Sequence, residues 1–158
     1  MQALIQKLIT FSDTGLHPSY RSNTSRAQLQ AEVEHYTRLT GQAPLRSRQH
    51  FLKLSFPATY RQLIQAGIQE DYTMGYADAP GFRAGLSVSY PWYDLEAEAE
   101  QPLFIHPFAV MDVTLQQYLK LSPGEAIEIL KGLIDTVQGT GGVFMPLWHN
   151  SSFAASHG

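Results

Sequence analysis

Cysteine is absent from this chain, which excludes disulfides and thiolate metal sites but does not identify a compartment. No apolar run approaches the ~20 residues that cross a bilayer, so no membrane partner is expected. Blocks of lysine or arginine are also missing. The 11 basic residues stand against 14 acidic ones, for a net charge of -3, and this argues against nucleic acid as a partner. The opening segment, Met1 to Lys7, lacks the basic region and apolar core of a secretory signal, so a cytoplasmic location is expected. There is no internal repeat and no low-complexity segment.

What remains is an ordinary soluble composition, 44% hydrophobic and 16% charged, in 158 residues. That length favours one domain able to bury roughly 70% of its unfolded surface. Helix and strand patterns alternate. Leu4, Ile5, Leu8 and Phe11 give helical spacing over 2–12, and a short strand follows at 14–17. Asn23-Thr24-Ser25 can cap a helix over about 25–40 with Leu29, Val33, Tyr36 and Leu39 on one face, and Gly41 ends it. A strand is expected at 45–49, a helix from Pro57 to Ala66, and a strand from Ile68 to Thr73. A long irregular section then carries the acidic cluster Glu96, Glu98 and Glu100, read as a solvated loop. Leu103 to Val110 reads as a strand interrupted by Pro107, followed by helices over 114–120 and 123–138. The second helix bears a wide apolar stripe: Ala126, Ile127, Leu130, Leu133, Ile134 and Val137. Gly142 to Trp148 is the last strand, and residues 152–158 form a small, polar tail expected to be flexible. Strand–helix alternation implies parallel strands with crossover helices.

Three histidines fall at strand exits. His149 leaves the last strand within Leu147-Trp148-His149-Asn150, His17 follows Thr14-Gly15-Leu16, and His50 follows the strand at 45–49. Imidazole suits both proton transfer near neutral pH and metal ligation. His35 on a helix and His157 in the tail read as inert, and His106, before Pro107, as ambiguous.

Five short motifs occur in order: His17-Pro18-Ser19-Tyr20, Arg48-Gln49-His50-Phe51, Gly81-Phe82-Arg83-Ala84-Gly85, Met111-Asp112-Val113-Thr114-Leu115 and Leu147-Trp148-His149-Asn150. Together they resemble the polysaccharide deacetylase family, in a bacterial deacetylase-like branch, over about residues 3–151. The resemblance implies a distorted (β/α) barrel, here partial, that removes acetyl groups from a glycan. It implies a divalent metal, zinc above all, held by one aspartate and two histidines, with a second aspartate as base and a late histidine as acid. A metal polarises the poor amide electrophile, and an acid helps the amine leave.

On that resemblance His149 and Arg48 are the catalytic candidates, and His17 and His50 the metal ligands. Arg83, Tyr76 and Trp148 are the substrate-binding candidates. The ligand set is incomplete. The family's opening Asp-Asp motif has no counterpart at the right spacing, because Asp13 precedes His17 by only four residues and reads as a helix-end residue. Position 21, where a second ligand histidine would stand, is Arg21. The resemblance therefore implies a domain that lacks its N-terminal strands. Arg48 would lack its usual aspartate, and its other reading is an exposed strand-end arginine. Arg83 either grips a sugar or ties down its own loop, and Asp112 is either a site acid or a helix cap. Tyr20, Tyr72, Tyr76, Tyr90, Trp92, Tyr93 and Trp148 suit a glycan groove or core packing in equal measure.

Two functions stand open. One is a metal-dependent deacetylase-like hydrolase acting on a glycan. The other is an inactive fragment serving as a carbohydrate-binding or interaction domain. An open sheet edge left by missing strands predicts self-association.

Overall fold

A computed structural model describes residues 2–153 of the chain. It gathers into two compact units, each built from two stretches of sequence. The first comprises Met1–Thr73 and Tyr90–Ile105, and the second Met74–Ser89 and His106–Gly158.

The first unit centres on a four-stranded sheet. Its strands are β1 (Arg46–Ser47), β2 (Glu70–Asp71), β3 (Tyr90–Asp94) and β4 (Ala99–Ile105), in the order β1-β2-β4-β3. β1 pairs with β2 and β2 with β4, both parallel, as the alternating pattern implies. A single parallel bridge, Leu16 to Ser47, adds a rung beside β1, where a strand over 14–17 is expected. Around the sheet lie α1 (Gln2–Leu8), α2 (Arg26–Thr40) and α3 (Ala58–Gln65). α2 starts where Ser25 accepts from the Gln28 N–H, and it stops at Gly41, whose φ of 81° suits a residue without Cβ. Leu16, Leu29, Leu52, Tyr60, Leu63, Ile68, Leu103 and Ile105 are buried and form this unit's core.

The second unit pairs β5 (Val110–Met111) with β6 (Pro146–Leu147) in parallel. Between them run a π-helical turn, Thr114–Tyr118, and α4 (Pro123–Thr140). Ser122 and Glu125 close a reciprocal capping box at the start of α4, Pro123 occupies its first turn, and Gly141 ends it at φ 68°. No helix among the described residues is long and apolar enough to cross a membrane.

Several expectations need correction. The strands are not all parallel: β3 and β4 form an antiparallel hairpin where an irregular section was expected. Asp94 makes that turn, its Oδ1 accepting from the N–H groups of Glu96 and Ala97 at 3.0 and 3.2 Å. Glu96, Glu98 and Glu100 are exposed around this hairpin, and Glu96 pairs with Arg61 at 2.9 Å. The expected strand over 103–110 is two strands, because β4 stops at Ile105 and β5 starts at Val110 beyond Pro107. α1 is shorter than expected, since the chain turns back onto the Lys7 and Leu8 carbonyls. Leu4, Leu8 and Phe11 therefore stay exposed. On α4, Val137 is the stripe's one fully buried member, while Ile127 and Ile134 are exposed. Ser152 and Phe153 lie in a 3₁₀ turn, Asn150–Phe153, rather than a free tail. Positions 154–158, with His157, lie outside the described residues.

Candidate functional site

In the first unit, His17 and His50 meet. The strand register brings this about. Leu16 bridges Ser47, so His17 emerges beside Arg48, and the chain turns at His50–Leu52 directly after β1. His17 Nδ1 lies 2.7 Å from the Arg48 carbonyl oxygen, and His17 Nε2 lies 3.0 Å from His50 Nδ1. A carbonyl only accepts, so His17 carries its proton on Nδ1. In the neutral pair, Nε2 of His17 then accepts from Nδ1–H of His50, which leaves a lone pair on His50 Nε2.

The Arg48 side chain turns inward. Its Nε donates to the Tyr72 carbonyl at 3.0 Å. Burial pushes its guanidinium below the usual range, while the nearby Asp71 and Tyr72 oppose that shift. The expectation that Arg48 lacks an aspartate thus needs amending: Asp71, on β2, is its electrostatic partner. Asp71 is fully buried. Burial raises its carboxyl to about 6, against hydrogen bonds from Thr73 and Ser47 and the Arg48 charge.

Phe51, next to His50, is 74% exposed and sits at φ 54° and ψ 23°. Its ring meets His50 and Tyr20 edge-on, at 84° and 79°, and the Lys53 ammonium stands 4.4 Å from the centre of the Tyr20 ring. Tyr20 and Phe51 thus form an open aromatic surface beside the imidazole pair. Tyr20 is one of the aromatics expected at loop positions, and Phe51 joins it there.

The second unit holds a different arrangement. β5 and β6 run side by side, and Asp112 and His149 leave their ends two or fewer positions later. His149 Nδ1 lies 2.6 Å from Asp112 Oδ1, and the His149 N–H donates to Asp112 Oδ2 at 2.8 Å. The Ser152 hydroxyl donates to the same Oδ2, and the Val113 N–H to Oδ1 at 2.8 Å. Burial pushes the Asp112 carboxyl up, but the bonds from Ser152, His149 and Val113 outweigh it and hold the group below the usual carboxylate range. Asp112 therefore stays ionised, fixes His149 in the Nδ1–H tautomer, and leaves Nε2 for an external partner. Asp112 is a partner of the site histidine rather than a helix cap. Ser152, read from sequence as tail, completes the arrangement.

The other named residues are placed as follows. Arg83 Nη1 reaches the Gly75 carbonyl at 3.4 Å, a contact within its own loop region. Tyr76 and Trp148 are 42% and 41% exposed. Trp92 is core, and Tyr90 and Tyr93 belong to β3. His106 Nδ1 lies 2.7 Å from the Ser89 hydroxyl, past the end of β4. Asp13 lies beyond α1 in an exposed ion pair with Arg46 at 3.3 Å.

No family model and no curated protein matches the sequence. Among solved structures, a protein of Mycobacterium smegmatis shares the fold. It is described, by inference, as a polysaccharide deacetylase. The TM-score is 0.65 at 16% identity, over 93% of this chain and 52% of that one. This chain thus spans about half the length of that structure, and the likeness is one of fold.

The fit of a metal can be judged on the ligands. His17 is oriented as metal-binding histidines commonly are, with its Nδ1–H donating to a carbonyl and Nε2 turned the other way, toward His50. A catalytic zinc commonly takes three protein ligands. Among the described residues no cluster of three or more histidines and carboxylates is placed to hold an ion. His17 Nε2 and His50 Nδ1 could serve as two members of such a set only once the proton shared between them moves to His50 Nε2, and two are not a complete set.

Proposed function

We propose that this chain is part of a polysaccharide deacetylase-like hydrolase and carries its proton-donating side. The reading rests on one observation above all, the buried, ionised Asp112 held 2.6 Å from His149 Nδ1. A histidine so oriented and electrostatically supported is suited to protonate the amine leaving an N-acetylated sugar. The deacetylase-like fold supports the same reading. His17 and His50 would hold a divalent metal, zinc foremost, once a third ligand joins them. The chemistry a metal there would supply is that of a Lewis acid toward a carbonyl or a water. Sugar faces would stack on the exposed rings of each unit, Tyr20 and Phe51 in the first and, separately, Tyr76 and Trp148 in the second, where Arg83 holds its own loop.

The second reading is a chain that binds glycan without turning it over. It is favoured by the state of the two carboxylates in the first unit, since Asp13 is held in an exposed ion pair with Arg46 and Asp71 is fully buried. Acetate release from N-acetylglucosamine oligomers, with zinc supplied, decides between them. Release should be small for this chain alone. Whatever zinc-dependent release occurs should fall at least ~100-fold in His149→Ala. Release that His149→Ala leaves unchanged would remove His149 from the role of acid. Absent release with measurable oligomer affinity would establish the second.

A further inference from the structure

We infer that Asp71 is a positioning residue that sets the geometry and tautomers of the His17–His50 pair. The inference rests on reading that pair as functional, as above. Asp71 is fully buried and touches no substrate, so its effect passes through its neighbours.

Two routes lead from its carboxylate to the peptide groups around Arg48. The Ser47 hydroxyl donates to Asp71 Oδ2 at 3.0 Å and anchors the residue before Arg48. The Thr73 hydroxyl donates to the same oxygen at 2.8 Å and accepts from the Gln49 N–H at 2.9 Å, anchoring the residue after it. The Thr73 N–H donates to Asp71 Oδ1 at 3.0 Å and closes the carboxylate's own turn. Arg48 is thus fastened on both sides, and its side chain is tied to the Tyr72 carbonyl, between Asp71 and Thr73.

The consequence is directional. The Arg48 carbonyl is the group that fixes the His17 proton on Nδ1, and His17 Nε2 in turn orients His50. A hydroxyl has one proton. Thr73 gives it to Asp71 only because that carboxylate is acceptor on the inner side, and this leaves the hydroxyl oxygen to receive Gln49. An amide at position 71 would place a second donor among these donors and disturb the arrangement.

The test uses nitrogen NMR of the imidazoles in the full chain at a pH where both rings are neutral, together with thermal unfolding. The wild type should show Nδ1–H as the main tautomer of both His17 and His50. Asp71→Asn and Thr73→Val should shift the tautomer ratio of His17 at least threefold, and His50 with it, whereas Thr73→Ser keeps the hydroxyl and should restore the wild-type ratio. Should Thr73→Val fail to fold, Ser47→Ala tests the other route. Lowered Tm with unchanged tautomers in these variants would reduce Asp71 to a structural residue and overturn the inference. So would a Thr73→Ser spectrum like that of Asp71→Asn. None of these readouts depends on acetate release, so a failed hydrolase reading leaves a separate signature.

Discussion

At the scale of single residues, the two buried aspartates behave oppositely. Asp112 is held below the ordinary carboxylate range by its donors, while Asp71 is lifted to about 6 by burial. A folded pKa above the unfolded one means that the folded state keeps the proton longer. Asp71 therefore lowers stability progressively as pH rises from about 4 to about 6, by roughly 3 kcal/mol once fully ionised. Asp71→Asn removes that dependence. Denaturant unfolding should show the variant gaining on the wild type by up to that amount between pH 4 and pH 7. A constant difference across the range would refute the assignment. Asp112 works in the other sense, since its stabilisation is present above the unfolded pKa and fades as pH falls. In Asp112→Asn the imidazole loses its ionised partner, and any His149-dependent turnover should drop by ~10⁴-fold, as when a catalytic histidine is left in the wrong tautomer. The histidines were legible in the sequence because strand exits are marked by apolar runs and glycines. Asp71 was not, because an acid inside a strand pattern looks solvent-facing until the register to Ser47 and Thr73 is known. Ser152 was hidden for a similar reason, in a stretch with no periodicity.

At the scale of elements, caps announced the helices and prolines concealed the strands. Ser25 and Gly41 bracket α2 as expected, and α4 spans Pro123–Thr140 against an expected 123–138, its capping box of Ser122 and Glu125 and its stop at Gly141 being seen in the structure. The hairpin was missed because Pro91 and Pro102 sit inside its strands, and proline usually argues against a strand. Its alternation is nonetheless present, with Leu103 and Ile105 buried and Phe104 exposed between them. Ser122→Ala should cost about 1 kcal/mol, because both halves of the capping box fail together. A drop in Tm of roughly 2–4 °C is the expected reading, and an unchanged Tm would show that α4 is held by its packing alone. The turn at His50–Leu52 points the other way. Phe51 and Leu52 both have positive φ, at 54° and 53°, a conformation that costs a bulky residue roughly 1–2 kcal/mol. Phe51→Gly should raise Tm by a few degrees while removing an exposed ring from the candidate glycan surface. Oligomer affinity that survives the change would take Phe51 out of that surface.

At the scale of the molecule, apolar surface is left uncovered. Ile127 and Ile134 on α4 and Leu4, Leu8 and Phe11 near α1 all stand exposed. Apolar side chains left exposed on a helix, as at Ile127 and Ile134 one heptad apart, favour association in water. We expect light scattering at micromolar concentration to report species larger than one chain, and Ile127→Glu with Ile134→Glu to reduce them. A monomer that the double substitution leaves unaltered would show that the α4 face is tolerated in solvent. The alternation of helices and strands was readable over most of the sequence, as was a parallel arrangement in general, though not which strands pair. The division into two units was not, because it depends on where the chain returns rather than on any local pattern.

That return has a consequence for how the molecule can be taken apart. The chain passes from one unit to the other after Thr73, after Ser89 and after Ile105, so no single cut in the gene yields either unit whole. The hairpin is an excursion with a narrow neck. Tyr90 pairs with Ile105 at its base, and Ser89 hydrogen-bonds His106 just outside it. Splicing Ser89 to His106 through a short turn would delete the hairpin and strip the first sheet of β3 and β4. The sequence carrying Asp112 and His149 would remain continuous. Such a deletion turns the layout of the chain into an assay of autonomy, asking whether the Asp112–His149 pair survives when the first sheet keeps only β1 and β2.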